Sequence, residues 1–245
     1  LNLLSITFGF TLHAAMLLPV MLICGTISEP SAWLLFVCVM LFYADESIAA
    51  DRLARSQAPE TFTSPAGNSI TTNRLALATG VTLLSIFWIA LAKSPMAAVA
   101  GTLMPCTGAT FMLSGALLRH MAIRRLDAFF ISEPRVAQGQ PLATDGIYTV
   151  VRHPSESGLL AIALGAAVMR SSLPAAVVLL VILVPLVLAR LRFEERVLLA
   201  GFGEDYRQYC RKTGALLPAW RISSPTGISH LAQGCCEERT VTPGN

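Results

Sequence analysis

The sequence predicts an all-α fold: a polytopic membrane bundle of about six helices, the last two forming a short hairpin. Three observations carry that prediction. Hydrophobic residues make up 54% of the 245-residue chain and charged residues only 13%, about half the charge of a soluble domain. Mean hydropathy is +0.61. The apolar residues gather into long runs separated by shorter polar stretches. The net charge of +3 is unevenly spread and suits a basic face on anionic lipid better than nucleic acid.

The first run, Leu3 to Gly25, is interrupted by Pro19. It has no basic leader and is too long for a signal-peptide core, which predicts a permanent helix. The second, Ser31 to Ala50, ends in a polar shoulder at Asp45 and Glu46. The stretch "DRLARSQAPETFTSPAGNSITTN" then reads as an irregular loop. Runs at Arg74 to Ala92 and Met96 to Leu118 follow, joined by a tight turn at Lys93-Ser94-Pro95. Residues 119 to 156 form the longest polar stretch. Ser157 to Met169 is apolar over only about 20 Å of helix, short against a hydrocarbon core of about 30 Å. Pro174 to Ala189 is similarly brief, with Pro185 expected to kink it. These two short helices are expected to pair inside the bundle.

Basic residues predict orientation. Arg52, Arg55 and Arg74 lie in one loop, Arg119, Arg124, Arg125, Arg135 and Arg152 in another, and more arginines follow from Arg190 onward. With six helices all of these fall on one side, which should be cytoplasmic. Endoplasmic reticulum and bacterial inner membrane fit equally. The six cysteines include no metal-ligand spacing with histidine and read as reduced, packed thiols. Cys235-Cys236, in a polar tail after Trp220, has the look of an acylation site.

Two polar constellations stand out. In "DGIYTVVRHPSESG", Gly146 permits a turn before an extended piece, Ile147 to Val151, and Pro154 occupies the first turn of a helix. That helix start presents free N–H groups and a positive dipole end, which suit an anion. Arg152 and His153 add donors there, although Tyr and Arg at a helix entrance also suit a simple interfacial anchor. In "LARLRFEERVLLAGFGEDYRQYC" an apolar helix continues into charge. Arg190 and Glu194 share one face, while Glu195 and Arg192 are expected in solvent. Gly201 and Gly203 end that helix. A short amphipathic helix follows, with Tyr206 and Tyr209 on one side. Ionisable groups at the end of a membrane helix usually face a cavity, and the two constellations lie at one depth.

At these residues the sequence resembles the isoprenylcysteine carboxyl methyltransferase family of membrane enzymes. The resemblance covers roughly residues 115 to 218 and rests on a Gly-x-Tyr, an Arg-His-Pro-Ser, an Arg-rich helix with paired glutamates, and a Phe-Gly-acidic-acidic-Tyr segment. Phospholipid N-methyltransferases and sterol reductases share pieces of it. The resemblance implies S-adenosylmethionine in a cytoplasm-facing pocket, with a lipid-like or prenylated acceptor entering from the bilayer. By position it implies that Gln140, Pro141, Leu142 and Ala143 line the cofactor, as do Tyr148, His153, Pro154, Ser155 and Glu156. Glu194 would bind its ammonium, and Arg190 and Arg152 are the catalytic candidates, Arg190 toward the acceptor. The family places an aromatic where this chain has Glu156, which bears on the acceptor more than on the cofactor. Glu133 and His120 receive no role.

The organisation expected is transmembrane helices over 1–118, a methyltransferase core over 119–220 and a flexible tail over 221–245. Membrane lipids are the other expected partners, and nucleic acid is not one. Carboxyl methylation leads the reading. Methylation of another acceptor, such as phosphatidylethanolamine, is the alternative, and a reductase on the same scaffold is more remote.

Overall fold

The computed structural model describes residues 3–55, 69–92, 101–126, 136 and 139–219. These are helical throughout, joined by turns, as the sequence predicts. The helices are α1 (Leu3–Ile23), α2 (Pro30–Arg55), α3 (Ser69–Leu91), α4 (Leu103–Leu126), α5 (Pro154–Met169), α6 (Leu173–Phe202) and α7 (Glu204–Lys212). Among the described residues, Pro30–Arg52, Asn73–Leu91 and Leu173–Phe202 are long and apolar enough to cross a membrane. The chain is an integral membrane protein. The turn at Lys93-Ser94-Pro95, the loop near 56–68 and Cys235-Cys236 lie outside the described residues. Cys24, Cys38 and Cys106 are free thiols.

Two boundaries differ from expectation for one reason: charge ends an apolar run without ending a helix. α4 continues through Arg119, His120, Arg124 and Arg125 to Leu126, so the start of the expected polar stretch is helical. α6 likewise runs 30 residues to Phe202. It is therefore a full-length helix with exposed Leu180, Val181 and Ile182, where a short buried one was expected. Pro185 leaves its mark as one wide π-turn, Leu179–Leu183, just before it. Without an N–H, proline cannot complete the regular ladder there.

The last two long helices do form a hairpin through Arg170-Ser171-Ser172, but the most intimate partner of α5 is α4. Glycines explain this. A Cβ added to Gly115 would lie 2.6 Å from the Gly158 carbonyl oxygen, and one on Gly158 would lie 2.5 Å from that of Gly115. Gly108 and Gly165 repeat the contact two turns away. Small residues at this spacing let two backbones touch, which is how helices associate without a hydrophobic drive between them. Gly115→Val should therefore cost about 1–3 kcal/mol through overpacking, read as a lower Tm in detergent. Gly80→Ala, with nothing within 4 Å of the added carbon, should leave Tm unchanged or raised.

Arg170 fastens the end of the bundle remote from the basic loops. Fully buried, it donates to the Ala90 carbonyl at 3.2 Å, Ser31 Oγ at 2.5 Å and Glu29 Oε2 at 2.5 Å. The α1–α2 turn, the end of α3 and the α5–α6 turn thus meet on one guanidinium. Its charge is neutralised in place by Glu29, so this arginine does not count against the basic asymmetry.

Candidate functional site

The opposite end of α5 is built by a strand-like clasp. Val151 pairs in parallel with Gly214. The Arg152 and His153 amides donate to the Gly214 and Ala215 carbonyls at 2.8 and 3.0 Å. Ser157 Oγ, one turn into α5, donates to the Leu216 carbonyl at 2.7 Å. The chain after α7 therefore holds the entrance of α5, and Pro154 starts the helix at the position proline tolerates. Gly146 has φ 57°, a left-handed turn that glycine adopts without strain. The following segment is a 3-10 turn, Gly146–Thr149, where an extended piece was expected. That turn swings Tyr148 inward. Its hydroxyl donates to the Ala122 carbonyl at 3.3 Å, and its own carbonyl accepts from Tyr209 Oη at 2.6 Å. Burial pushes the Tyr148 phenol above its ordinary pKa, so it stays neutral.

Beneath this turn lies a buried charge cluster joining α5 to α6. Arg152 donates through Nε and Nη2 to Glu195 Oε1 at 3.1 and 2.8 Å. Its Nη1 donates to the Cys210 and Thr213 carbonyls at 3.0 and 2.5 Å. Both Arg152 and Glu195 side chains are 3% exposed. His153 Nε2 lies 3.3 Å from Glu195 Oε1, and its Nδ1 lies 4.0 Å from Glu194 Oε2. Burial opposes a charged imidazole, but the hydrogen bond to Glu195 and the charge of Glu194 outweigh it and raise the His153 pKa. The entrance of α5 and the exit of α6 thus meet, as the sequence predicts.

A second polar group approaches from α2 and α4. Arg119 Nε and Nη2 grip both oxygens of Glu46 at 2.5 and 2.9 Å, and its Nη1 donates to Ser155 Oγ at 2.6 Å. His120 Nδ1 lies 2.7 Å from Asp45 Oδ1. The two polar residues ending the apolar part of α2 are thereby explained. Deeper along α4, Asp45 and His120 close one end of an apolar groove of about 210 Å³ between Phe42, Met112, Ala116 and Ile162. Near the surface, Arg125 pairs with Asp145 at 2.6 Å, holding the turn that precedes Tyr148. The hydrogen bond from Arg125 keeps the Asp145 carboxyl below its usual range.

Most residues singled out from the sequence converge here, with corrections. Leu142 and Ala143 pack on the cluster of Tyr148, Tyr206 and Tyr209. Gln140 is half-buried and Pro141 exposed. His153, Pro154 and Ser155 are buried, and Glu156 and Glu194 half-buried. Arg152 is not placed to touch a substrate, because its donors are committed to Glu195 and two carbonyls; it positions the loop. Glu195, expected in solvent, is buried. Its register gave the signal: Val187, Leu191 and Glu195 recur every four residues, and all three are buried. Arg190 and Glu194, spaced for an ion pair, form none within 4.0 Å. Glu194 faces His153 instead, and Arg190 Nε is buried with no hydrogen-bond partner among the described residues. Tyr206 Oη is in the same condition. Arg119 was missed because a charged residue after an apolar run reads as loop.

The uncommitted groups define what the site can do. A half-buried Glu194 carboxylate whose ion-pair contact is His153 at 4.0 Å, a guanidinium nitrogen without an acceptor and a buried phenol without a partner together suit a small zwitterionic ligand. No group of His, Cys, Asp and Glu among the described residues could hold a metal ion.

Residues 98–205, from just before α4 to the start of α7, match the family described as phospholipid methyltransferase. The chain is 30% identical over 113 residues to protein-S-isoprenylcysteine O-methyltransferase B of Arabidopsis thaliana, covering 45% of this chain and 57% of that one. It is 31% identical over 110 residues to protein-S-isoprenylcysteine O-methyltransferase of Schizosaccharomyces pombe, covering 44% and 47%. The chain thus spans about half the length of these curated relatives. A structure of the eukaryotic intramembrane Ras methyltransferase, an isoprenylcysteine carboxyl methyltransferase, is similar at 19% identity and TM-score 0.48, covering 84% of this chain and 75% of that one. The matched segment carries the Val151-to-Ser157 half of the clasp, the buried charge cluster and α6, and it is this part of the chain that is similar to the phospholipid methyltransferase family model.

Proposed function

We propose that this chain is an S-adenosylmethionine-dependent methyltransferase that methylates the carboxylate of an isoprenylcysteine-like acceptor. The observation that carries the reading is the meeting of His153 with Glu194 and Glu195 within the family-matched segment. The residues present fit the cofactor. Its ammonium suits the carboxylate of Glu194, and the buried, partnerless Tyr206 Oη is a donor awaiting an acceptor. Gln140, Pro141, Leu142, Ala143, Tyr148, His153, Pro154, Ser155 and Glu156 would line it. When bound, the cofactor supplies an activated methyl group, so the protein chiefly aligns two reactants.

Arg190 would hold the acceptor carboxylate. Such a carboxylate has a pKa of about 3.5 and is ionised at neutral pH, so no general base is required. Partial exclusion of water leaves it a better nucleophile. The acceptor's lipid portion would reach the site from the bilayer. The basic residues Arg119, Arg124, Arg125 and Arg190 lie at the same end of the bundle as the site, which supports a cytoplasmic orientation. Residues 1–118 would serve as the membrane scaffold, 119–220 as the methyltransferase core and 221–245 as a tail. Phosphatidylethanolamine is the alternative acceptor, favoured by the phospholipid description of the matched family; its amine would first have to lose a proton.

Calorimetric titration tests the cofactor assignment. Glu194→Ala should weaken S-adenosylmethionine binding by about ten-fold or more, the loss of one charge-assisted bond; unchanged affinity would remove Glu194 from the site. Transfer of a tritiated methyl group onto a farnesylcysteine analogue, run beside phosphatidylethanolamine, separates the two acceptors.

A further inference from the structure

The groove between α2, α4 and α5 is apolar along its length and polar at one end. Cys38, Phe42 and Asp45 of α2 recur at helical spacing, as do Met112, Ala116 and His120 of α4, so each set shares a face on the groove. Exposed Leu41, Leu113 and Leu117 flank it. Leu41 lies within the Pro30–Arg52 span, so the groove opens sideways, where a bilayer places hydrocarbon. Its volume of about 210 Å³ is below the ~300–1,000 Å³ of pockets that enclose a whole drug-sized ligand, and suits one hydrocarbon chain. Asp45 and His120 close it. His120 Nδ1 lies 2.7 Å from Asp45 Oδ1, and the two side chains keep 34% and 29% of their surface exposed, so the pair is not sealed in protein. Asp45 also stands inside a span, where an ionisable group usually faces a cavity or a substrate path. A carboxylate can only accept, so Nδ1 carries the proton and Nε2 is the nitrogen left for a ligand. Arg119, next in the chain, is committed to Glu46 and Ser155 and does not call for an anion here.

We propose that this groove binds a single-chain lipid alcohol, its chain between α2 and α4 and its hydroxyl on His120 Nε2. This ligand is distinct from the methyl donor and from a carboxylate acceptor, and its binding does not depend on the methyltransferase reading. A hydroxyl fits the polar end in either state of the imidazole: it donates to a neutral Nε2 and accepts from a protonated one. A carboxylate head meets only the protonated state and sets a second negative charge beside Asp45. A chain with no head leaves Nε2 without a partner at the end of an apolar groove. Bilayer hydrocarbon is as apolar as the groove, so the chain adds little preference of its own. The hydroxyl therefore decides which amphiphile is retained.

The test uses the full chain in phosphatidylcholine nanodiscs and a hexadecanol that carries a photoreactive diazirine along its chain. After irradiation, mass spectrometry should find the label on peptides carrying Leu41, Leu113 or Leu117, and unlabelled hexadecanol should remove it. Palmitate, with the same chain and a carboxylate head, should compete at least about three-fold more weakly. His120→Phe keeps a ring without its nitrogens and should lower labelling by about three- to ten-fold, the loss of one hydrogen bond. Ala116→Leu, which fills the groove with side chain, should lower it as far. Tm in detergent is the folding control for both variants. Label spread evenly over the exposed helix faces, palmitate competing as well as hexadecanol, or labelling unaffected by His120→Phe each overturns the proposal. Equal protection by a farnesylcysteine analogue gives the groove to the prenylated acceptor; that result also overturns the proposal, while leaving the methyltransferase reading intact.

Discussion

Glu195→Ala is expected to destabilise the chain by about 3–5 kcal/mol, the cost of leaving a buried charge without its partner. Arg152 cannot escape to water: its side chain is 3% exposed, and its backbone is pinned by the clasp to Gly214. Removal of Glu195 leaves the guanidinium with two carbonyls and no counter-charge, and removes the acceptor for His153. The measurement is thermal unfolding in detergent, where a drop of about 10 °C or more is expected for a chain of this size. A double replacement by apolar residues at 152 and 195 should recover part of the loss, because both buried charges then disappear. An unchanged Tm for Glu195→Ala would mean that the pair does not hold the site together. The His153 contact adds a pH signature. Its folded-state pKa is raised, so its stabilisation is complete below the unfolded value of about 6.5. It is lost as pH rises through the higher folded value. The Tm advantage of wild type over His153→Gln should accordingly shrink above neutral pH.

Arg152 and Glu195 also mark where sequence reading stops. The membrane class, the order of helices and the meeting of two polar constellations were all legible, because apolar runs, prolines and glycines act locally. Gly146, Pro154 and Gly203 punctuate the chain where they stand. Long-range partners were not legible in the same way. Nothing near Glu195 in sequence names Arg152 as its partner, 43 residues away, and an arginine next to a helix start that suits an anion reads as a ligand donor until its bonds are seen. The α4–α5 glycine contacts were visible as equal spacings, Gly108 to Gly115 and Gly158 to Gly165, but two matching spacings identify a pair only once the helices are known to face each other. Arg119 was hidden by a different rule. Its charge ends an apolar run, yet a helix whose outer face is already at the membrane boundary continues through it, and Glu46 on α2 makes the position favourable.

The two arginines of the site should behave oppositely, which separates structure from chemistry. Arg190 has a buried Nε with no acceptor, a condition that costs about 1–3 kcal/mol until a ligand relieves it. Arg190→Ala is therefore expected to leave the Tm of the ligand-free protein unchanged or slightly raised, in contrast to Glu195→Ala. Its effect should appear in turnover. If the guanidinium holds the acceptor carboxylate, its loss removes both an orienting contact and a charge partner, lowering kcat/KM by about 10²–10³-fold, as for loss of one preorganised donor. Arg190→Lys should rescue little, because a point charge on a flexible stem does not reproduce the planar fork. S-adenosylmethionine affinity, read separately by calorimetry, should stay at the wild-type value. Should that affinity fall with the turnover, Arg190 belongs to the donor's carboxylate, and the acceptor must be held by a group on α2 or α4. The Arg119–Glu46 and His120–Asp45 pairs are the polar groups those helices bring to this end of the bundle, and His120 lies at the mouth of an apolar groove that an acceptor chain could enter. The stability and binding measurements together thus decide which side of the reaction Arg190 serves, independently of which acceptor is supplied.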